Sequence, residues 1–234
     1  MISTLENALK QFDIELNEKQ KNQFERYYKL LIEWNEKMNL TAITEKDEVA
    51  IKHFADSVSL LSVVDIPQGA SVIDVGTGAG FPGIPLKIVR PDIKLTLLDS
   101  LNKRLIFLQN VCDELEFTAE IIHARAEEGG QNESLRESYD FAVSRAVAQL
   151  NTLCEFCLPF VKTGGSFISM KGPNAENEIE TAKNAVNILG GKIKKVNKFT
   201  LTDDSSRTII QIEKIKQTPK KYPRHGGKIK KQPL

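Results

Sequence analysis

The stretch "VIDVGTGAGFPG", residues 72–83, constrains the fold of this chain more than any other part of it. An apolar run that includes Asp74 is followed by four glycines within eight residues. A chain tolerates so much backbone freedom where it needs positive φ angles or where another molecule must approach the backbone closely. The pattern predicts a strand, a tight loop and the start of a helix, which is the unit from which α/β sheets with ligand sites are built.

Two ligands fit this loop equally well. The spacing Gly78-x-Gly80-x-x-Gly83 matches the dinucleotide-binding fingerprint, and Asp74-x-Gly76-x-Gly78-x-Gly80 matches the adenosylmethionine loop of methyltransferases. In either case we expect Gly76, Gly78 and Gly80 to border the ligand at the end of the first strand. We expect Asp74 to accept hydrogen bonds from loop amides or from the ligand's ammonium group. The loop alone leaves the choice open.

The order of predicted elements defines the fold class. The first 66 residues read as amphipathic helices, and strands then alternate with helices as in a parallel sheet covered on both faces. The last two strands, "GKIKKVNKFTL" and "RTIIQIEKI", are joined by the short turn "TDDSS" and must pair antiparallel. We predict an α/β fold with a doubly wound, mostly parallel seven-stranded sheet, an antiparallel last strand and an N-terminal helical extension. The expected domains are 1–66 (the extension), 67–214 (the ligand-binding domain) and 215–234 (a basic C-terminal segment).

Composition and cysteine usage narrow the class of protein. The chain is 41% hydrophobic and 27% charged, and no apolar run approaches the length of a membrane span. The N-terminus carries acidic residues among its polar positions, so it predicts neither a secretory signal nor a transit peptide, and we expect a cytoplasmic protein. Cys154-x-x-Cys157 follows helical spacing with its apolar neighbours, which predicts buried helix positions and no metal site.

Acidic side chains after the second and third strands extend the predicted ligand site. Asp99 ends "LTLLD" 19 residues after Gly80, which puts a carboxylate at the tip of the neighbouring strand, within reach of two ribose hydroxyls. Ala126 and Glu127 follow the third strand, where a backbone amide and an acid could hold an adenine. Both NAD and adenosylmethionine are compatible with this set.

Basic side chains after the fourth and fifth strands suggest the second reactant. Arg145 lies in "VSRA" and Lys171 in "MKGP", each at a predicted strand tip. Arginine suits a carboxylate, a phosphate or the O6 and N7 edge of guanine, because its planar guanidinium donates in pairs. We predict that Arg145 and Lys171 position the substrate.

The chain resembles the rRNA small-subunit methyltransferase G family, also called glucose-inhibited division protein B. The resemblance rests on "WNEKMNLTAIT", "IKHFADSV", "DVGTGAGFPGIPL", "LLDSLNKRLIFL", "SRAVA", "MKGP" and "YPRHGGKIKKQPL", in this order along nearly the whole chain. It implies transfer of a methyl group from S-adenosylmethionine, leaving S-adenosylhomocysteine, to N7 of one guanosine of bacterial 16S rRNA (guanine527 by the family's activity name). The donor-binding positions that it implies are Gly76, Phe81, Ala126, Glu127 and Arg145, with Phe81 over the ligand's edge.

The distribution of charge agrees with a nucleic-acid partner. From Lys214 onward the chain has eight Lys or Arg and no acid, whereas the first 213 residues carry 24 Lys or Arg against 31 Asp or Glu. We expect the basic C-terminal segment to bind phosphates of 16S rRNA in the small ribosomal subunit or its precursor. We expect the protein itself to be a monomer. Deleting residues 220–234 should then weaken RNA binding and leave donor binding intact. The lysines of the penultimate strand should help, namely Lys192, Lys194, Lys195 and Lys198.

Two other classes of function were weighed against this one. An NAD-dependent oxidoreductase would need a catalytic histidine or a Tyr-x-x-x-Lys pair; the latter is absent from the sequence, and His123 is the one histidine predicted near the cleft. A non-enzymatic division or nucleoid factor would have little use for an intact donor loop together with Asp99. Both alternatives rank below a nucleic-acid methyltransferase.

Overall fold

The computed structural model describes residues 1–145, 148–173 and 175–234, and its core is a single sheet. Within these ranges the sheet has seven strands in the order β3-β2-β1-β4-β5-β7-β6. Strands β1 to β5 pair in parallel, and β7 runs antiparallel to both β5 and β6. The predicted fold class is therefore confirmed. The strands are β1 (Ser71–Val75), β2 (Lys94–Asp99), β3 (Glu120–His123), β4 (Tyr139–Arg145), β5 (Val161–Lys171), β6 (Gly191–Thr200) and β7 (Ser206–Lys214).

Helices of the described residues cover the sheet. Helix α2 begins at a capping box, in which the Asn17 side chain accepts from the backbone N–H of Gln20 and the Gln20 side chain accepts from the backbone N–H of Asn17. A π-helical turn, Ala50–Ala55, joins α3 to α4. The helices are α1 (Ile2–Lys10), α2 (Glu18–Met38), α3 (Lys46–Val49), α4 (Asp56–Val58), α5 (Gly83–Val89), α6 (Asn102–Glu114), α7 (Ala126–Gly129), α8 (Leu150–Cys157), α9 (Glu176–Ile188) and α10 (Gly226–Lys231).

Apolar clusters on the two faces of the sheet hold these layers together. On one face the N-terminal helices bury Phe24 and Phe54 in the same cluster as Phe107 of α6. On the other face Cys154 and Cys157 of α8 are fully buried beside the sheet, on the helix face that the sequence predicted. Because both faces are covered, the central strands are apolar on both sides.

The order in which strands are added to the sheet reverses between β1 and β4. Strand β1 connects through α5 to β2 on one side, while β4 pairs with β1 on the other side. Ligands of open α/β sheets bind at such a switch point, beyond the carboxyl ends of the strands. No helix in the described ranges is long and apolar enough to cross a bilayer.

Candidate functional site

The glycine loop after β1 leaves part of its backbone open at the switch point. Gly76, Gly78 and Gly80 all have positive φ angles, of 71°, 61° and 97°. A Cβ atom built on Gly78 would meet no described atom within 4 Å, whereas one on Gly80 would lie 2.6 Å from the side chain of Ile84. Gly78 therefore offers open backbone, and Gly80 serves the packing of the loop on α5.

A pocket of about 680 Å³, which we call pocket A, lies at the ends of β1, β2 and β3. Four of the predicted ligand residues line it together: Gly76, Asp99, Ala126 and Glu127. The structure thus brings together side chains and backbone from three strand ends, as the sequence predicted. Pocket A also has walls that were not predicted, formed by Arg104, Phe156, His225, Gly226 and Lys230.

Asp99 is held rigidly at the bottom of pocket A. It is 3% exposed; its Oδ2 accepts from the backbone N–H of Gly78 at 2.9 Å, and its Oδ1 accepts from that of Leu101 at 2.9 Å. Arg104 also approaches Oδ2, with Nη1 at 3.4 Å. A carboxylate has about four acceptor positions, so Oδ1 retains one, and Oδ2 regains one if the long contact with Arg104 gives way to a hydroxyl of a diol.

Asp74 lies behind the glycine loop, outside the lining of pocket A. Its Oδ2 accepts from Thr77 Oγ1 at 2.7 Å and from the Gly83 backbone N–H at 2.8 Å, so it holds the loop as one of the two predicted roles requires. Among the described residues no group donates to its Oδ1, although that atom is buried. Burial raises the pKa of the Asp74 carboxyl to about 7.

A second pocket, of about 260 Å³ and called pocket B, lies beyond the ends of β4 and β5. Asp56 sits between two cations in its wall: Oδ2 accepts from Arg145 at 3.1 Å and Oδ1 accepts from Arg207 at 3.1 Å. Arg207 belongs to β7 and Asp56 to α4, so the helical extension contacts β7 here. The full lining is Lys52, His53, Asp56, Arg145, Met170, Lys171, Gly172 and Arg207.

Arg145 connects the end of β4 to the π-helical turn. Its Nη1 donates to the Lys52 carbonyl at 3.1 Å as well as to Asp56, and its Nη2 lies 3.2 Å from Nδ1 of His53. Burial lowers the pKa of the guanidinium, and Asp56 opposes that shift. Arg145 thus lines pocket B and not pocket A, and both of its terminal nitrogens already donate to protein atoms; its roles in donor binding and substrate positioning stay predictions.

His53 is a site residue that the sequence analysis missed. Because arginine donates and never accepts, His53 Nδ1 must accept from Arg145, and Nε2 then donates to Thr41 Oγ1 at 2.8 Å. Burial, followed by the positive charge of Arg145, lowers the pKa of His53 to about 3, so the imidazole is neutral. His123, the one histidine that the sequence left as a candidate near the cleft, is exposed and contacts the carbonyl of Ser100, but it does not line pocket A.

Phe81 supports pocket B and does not line pocket A. Its ring stacks on His53 with centroids 4.6 Å apart and an interplanar angle of 21°, and the Arg145 guanidinium carbon lies 4.8 Å from the ring centroid. Phe81 is thus set apart from the other predicted donor residues that line pocket A, and its predicted place over the edge of the ligand stays a prediction. Its ring is buried because the π-helical turn packs over it.

Lys171 is paired within the protein at the end of β5. Its ammonium lies 2.8 Å from Glu178 Oε2 on α9 and donates to the Ala148 carbonyl. Glu178 also accepts from the backbone N–H of Leu150 at 2.8 Å. Lys171 therefore ties the segment after β4 to α9 while it borders pocket B. Ala146, the neighbour of Arg145 in the predicted strand tip, lies outside the described residues.

Comparison with known proteins decides the family. Residues 20–210 match the family described as rRNA small subunit methyltransferase G. Proteins called ribosomal RNA small subunit methyltransferase G are 51% identical in Alkaliphilus metalliredigens, over 98% of this chain and 97% of the relative, and 50% identical in Staphylococcus carnosus, over 100% and 98%. The chain belongs to the rRNA small subunit methyltransferase G family. The predicted enzyme class, an S-adenosylmethionine-dependent methyltransferase, is confirmed by this membership.

Solved structures of lower similarity share the fold of this methyltransferase. The precorrin-6y C5,15-methyltransferase of Geobacter metallireducens matches 68% of this chain and 87% of its own, with a TM-score of 0.53 and 15% identity. TrmN from Thermus thermophilus matches 68% and 48%, with a TM-score of 0.53 and 16% identity. At such identities the likeness shows the fold alone.

The basic C-terminal segment (residues 215–234) of this methyltransferase packs against the rest of the protein. Tyr222 is buried, Ile229 is fully buried, and Arg224 donates to Glu155 on α8. His225 and Gly226 from this segment line pocket A. Deleting residues 220–234 would remove one wall of pocket A, so the expectation that the deletion leaves donor binding intact conflicts with pocket A as a donor site.

The lysines of β6 are also partly engaged within this methyltransferase. Lys194 pairs with Glu213 at 3.2 Å, Lys195 donates to the Val63 carbonyl at 3.3 Å, and Lys198 pairs with Glu176. All are exposed, and exposed pairs contribute at most about 1 kcal/mol. These lysines remain able to exchange their partners for phosphates.

Proposed function

We propose that this chain transfers a methyl group from S-adenosylmethionine to N7 of a guanosine, guanine527 in the family's activity name, in bacterial 16S rRNA. The observation that carries the proposal is identity of about half the residues, over nearly the whole chain, with relatives named ribosomal RNA small subunit methyltransferase G. The two pockets at one edge of the sheet supply the geometry that such a two-substrate reaction requires.

Pocket A is proposed as the donor site. Asp99 would accept from the two ribose hydroxyls, and Gly76 and Gly78 would allow the ligand to approach the backbone. The Ala126 amide and the Glu127 carboxylate would hold the adenine. Two further features of the glycine loop support a ligand there. No described group donates to the buried Oδ1 of Asp74, and the space next to the Gly78 backbone is open.

Pocket B is proposed as the guanine site. The cations Arg145, Arg207 and Lys171 make its wall positive, and such a wall attracts phosphates as well as the O6 acceptor of guanine. Because Arg145 already donates to Asp56 and His53, it acts chiefly by fixing the wall of the pocket. Lys171 has the same positioning role through its contact with Ala148.

Methyl transfer to guanine N7 requires alignment of the two reactants and does not require a proton acceptor. Guanine N7 carries a lone pair and no proton, so attack needs no general base. When bound, S-adenosylmethionine supplies a methyl group that its sulfonium activates. The residues of the two pockets have to orient the reactants and exclude water. A neutral His53 whose two nitrogens are both hydrogen-bonded within the protein is consistent with that requirement.

The proposed partner is the small ribosomal subunit or its precursor, approached by a monomer. The large apolar side chains that are exposed in the described part of the chain lie on three separate elements: Leu101 and Ile106 at α6, Val196 on β6 and Ile215 just after β7. Such scattered residues do not form the extensive apolar patch of an obligate dimer, which supports a monomer. Light scattering of the purified protein tests this point.

Methyl transfer with mapping of the product tests the proposed reaction. The protein is incubated with isotopically labelled S-adenosylmethionine and, separately, naked 16S rRNA and small subunits that lack the modification. Treatment with borohydride and then aniline cleaves RNA chains at N7-methylguanosine, so a single labelled cleavage position is expected. Label on a base that survives this treatment, or no incorporation into either RNA, would overturn the proposal.

Two matched variants separate the donor site from a general loss of structure. Asp99→Ala should abolish binding of S-adenosylhomocysteine in calorimetry, because it removes the proposed partner of the ribose. Asp65→Ala removes an exposed carboxylate outside both pockets and should bind the product as the wild type does. Equal affinities of the two variants would place the donor elsewhere.

A further inference from the structure

We propose that Gly226, in the C-terminal segment, holds the Glu127 carboxylate in position at the adenine end of pocket A and thereby sets the affinity for the methyl donor. The inference rests on the donor site proposed above. The proposal gives the C-terminal segment a role in donor recognition, whereas the basic charge of this segment predicted RNA binding alone. Gly226 acts through Glu127 and is therefore a positioning residue.

The C-terminal segment is anchored firmly enough to act as a wall. Arg136 donates to the carbonyls of Gly130 and Tyr222 at 2.8 Å each and to that of Thr218 at 2.7 Å. Arg224 adds a pair of charge-assisted hydrogen bonds to the fully buried Glu155. These contacts tie both halves of the segment to the loop after α7 and to α8.

Gly226 lies directly against the carboxylate of Glu127. A methyl group on Gly226 would overlap Oε1 of Glu127 and would lie 3.0 Å from its Cδ. Gly226 itself is buried, so the glycine backbone confines the carboxylate to the side that faces pocket A. Any larger residue must push the carboxylate away.

Confining Glu127 matters because it is proposed to recognise the donor. Among the described residues no hydrogen bond engages its side chain, and that side chain is only half-buried, so its oxygens are available to an amine in the pocket. Holding the acceptor in its bound position before the ligand arrives reduces the entropy lost on binding. The atom displaced by a methyl group at position 226 is the far end of a flexible side chain, so the fold should tolerate the change.

A double-mutant cycle tests this coupling. Calorimetric titration with S-adenosylhomocysteine compares the wild type, Gly226→Ala, Glu127→Ala and the double variant, with thermal melting of each. Gly226→Ala alone should weaken binding by roughly ten- to a hundredfold, which is the range for loss of a hydrogen bond to a charged group. The double variant should bind like Glu127→Ala alone, because the methyl group then has no carboxylate to displace.

The controls separate failure of this inference from failure of the donor site. Gln232→Ala, an exposed change just after α10, should keep wild-type affinity. If Gly226→Ala binds like the wild type, or if its effect adds to that of Glu127→Ala, the coupling is overturned and the donor site stands. If Glu127→Ala itself binds like the wild type, the adenine end is misassigned and the inference is overturned with it. In the double variant the methyl group has no carboxylate to overlap, so its affinity for S-adenosylhomocysteine can be measured even if Gly226→Ala folds poorly.

Discussion

Replacing Arg224 with alanine removes the cation from a buried ion pair that fastens the C-terminal segment to α8. Glu155 is 0% exposed, and Arg224 donates to it from Nε at 2.8 Å and from Nη2 at 2.7 Å. The backbone N–H of residue 224 also donates to Glu155 Oε1 at 2.8 Å and survives the substitution, so the cost of about 3–5 kcal/mol for an uncompensated buried charge is an upper limit. If the chain unfolded as one unit, that loss would lower the melting midpoint by roughly 6–20 °C.

Undocking of the segment limits this cost, because Glu155 regains water once the segment leaves. The buried side chains of Tyr222 and Ile229 stabilise the docked state by roughly 1.5–3 kcal/mol each. The two free energies are comparable, so Arg224→Ala should populate an undocked segment rather than unfold the sheet. Donor binding should weaken with it, since the segment forms a wall of pocket A.

Limited trypsin digestion with mass spectrometry measures this opening, and S-adenosylhomocysteine calorimetry measures its consequence. Cleavage after Lys220 and Lys221 should accelerate in Arg224→Ala. The matched control is Arg26→Ala, whose partner Glu114 is exposed, so that pair contributes at most about 1 kcal/mol. Equal digestion rates and equal affinities for the two variants would refute the reasoning.

Further predictions concern buried charges and RNA contacts. The raised pKa of Asp74, about 7 against an ordinary 3.8, means that the fold favours its protonated form, so this group's stabilising contribution is present below pH 3.8 and is lost as pH rises through 7. In urea unfolding, Asp74→Asn should therefore gain stability relative to the wild type between pH 5 and pH 8, and a constant difference would contradict this. Lys214→Met leaves Glu137 without its buried cation and should lower the free energy of unfolding by about 3–5 kcal/mol in denaturant titration, whereas a loss under about 1 kcal/mol would count against it. Lys192→Ala on exposed β6 should reduce the slope of log affinity against log salt for RNA by about 0.7–0.9 and leave thermal stability unchanged; an unaltered slope would exclude a phosphate contact.

The elements of the sheet and pocket A were predictable because local rules govern them. Hydrophobic periodicity located the strands, and the short turn before β7 required antiparallel pairing. Once β1 and β2 are neighbours in a parallel sheet, the residues at their ends meet, so Gly76 and Asp99 had to share one edge. These inferences need only the order of elements along the chain.

His53, Asp56 and Arg207 of pocket B escaped prediction because they come from parts of the sequence distant from Arg145 and Lys171, the two members that the sequence did indicate. His53 and Arg145 are 92 residues apart, and Asp56 and Arg207 are 151 residues apart. No periodicity or spacing rule connects a π-helical turn of the extension with the last strand. The position of the Phe81 ring depends on the same packing, so its contacts with His53 and Arg145 could not be predicted either.

By itself, the sequence of this methyltransferase determined the fold class, the family and the strand ends at which ligands bind, because these follow from local patterns and from connectivity. Only the tertiary structure decided which charges are buried. Charge is a property of each residue, whereas burial depends on what packs over it. The sequence therefore showed that Arg224 is one of several cations of the C-terminal segment, but not that it pairs with the buried Glu155. For the same physical reason only the tertiary structure showed that the C-terminal segment, predicted to bind RNA, also forms a wall of pocket A.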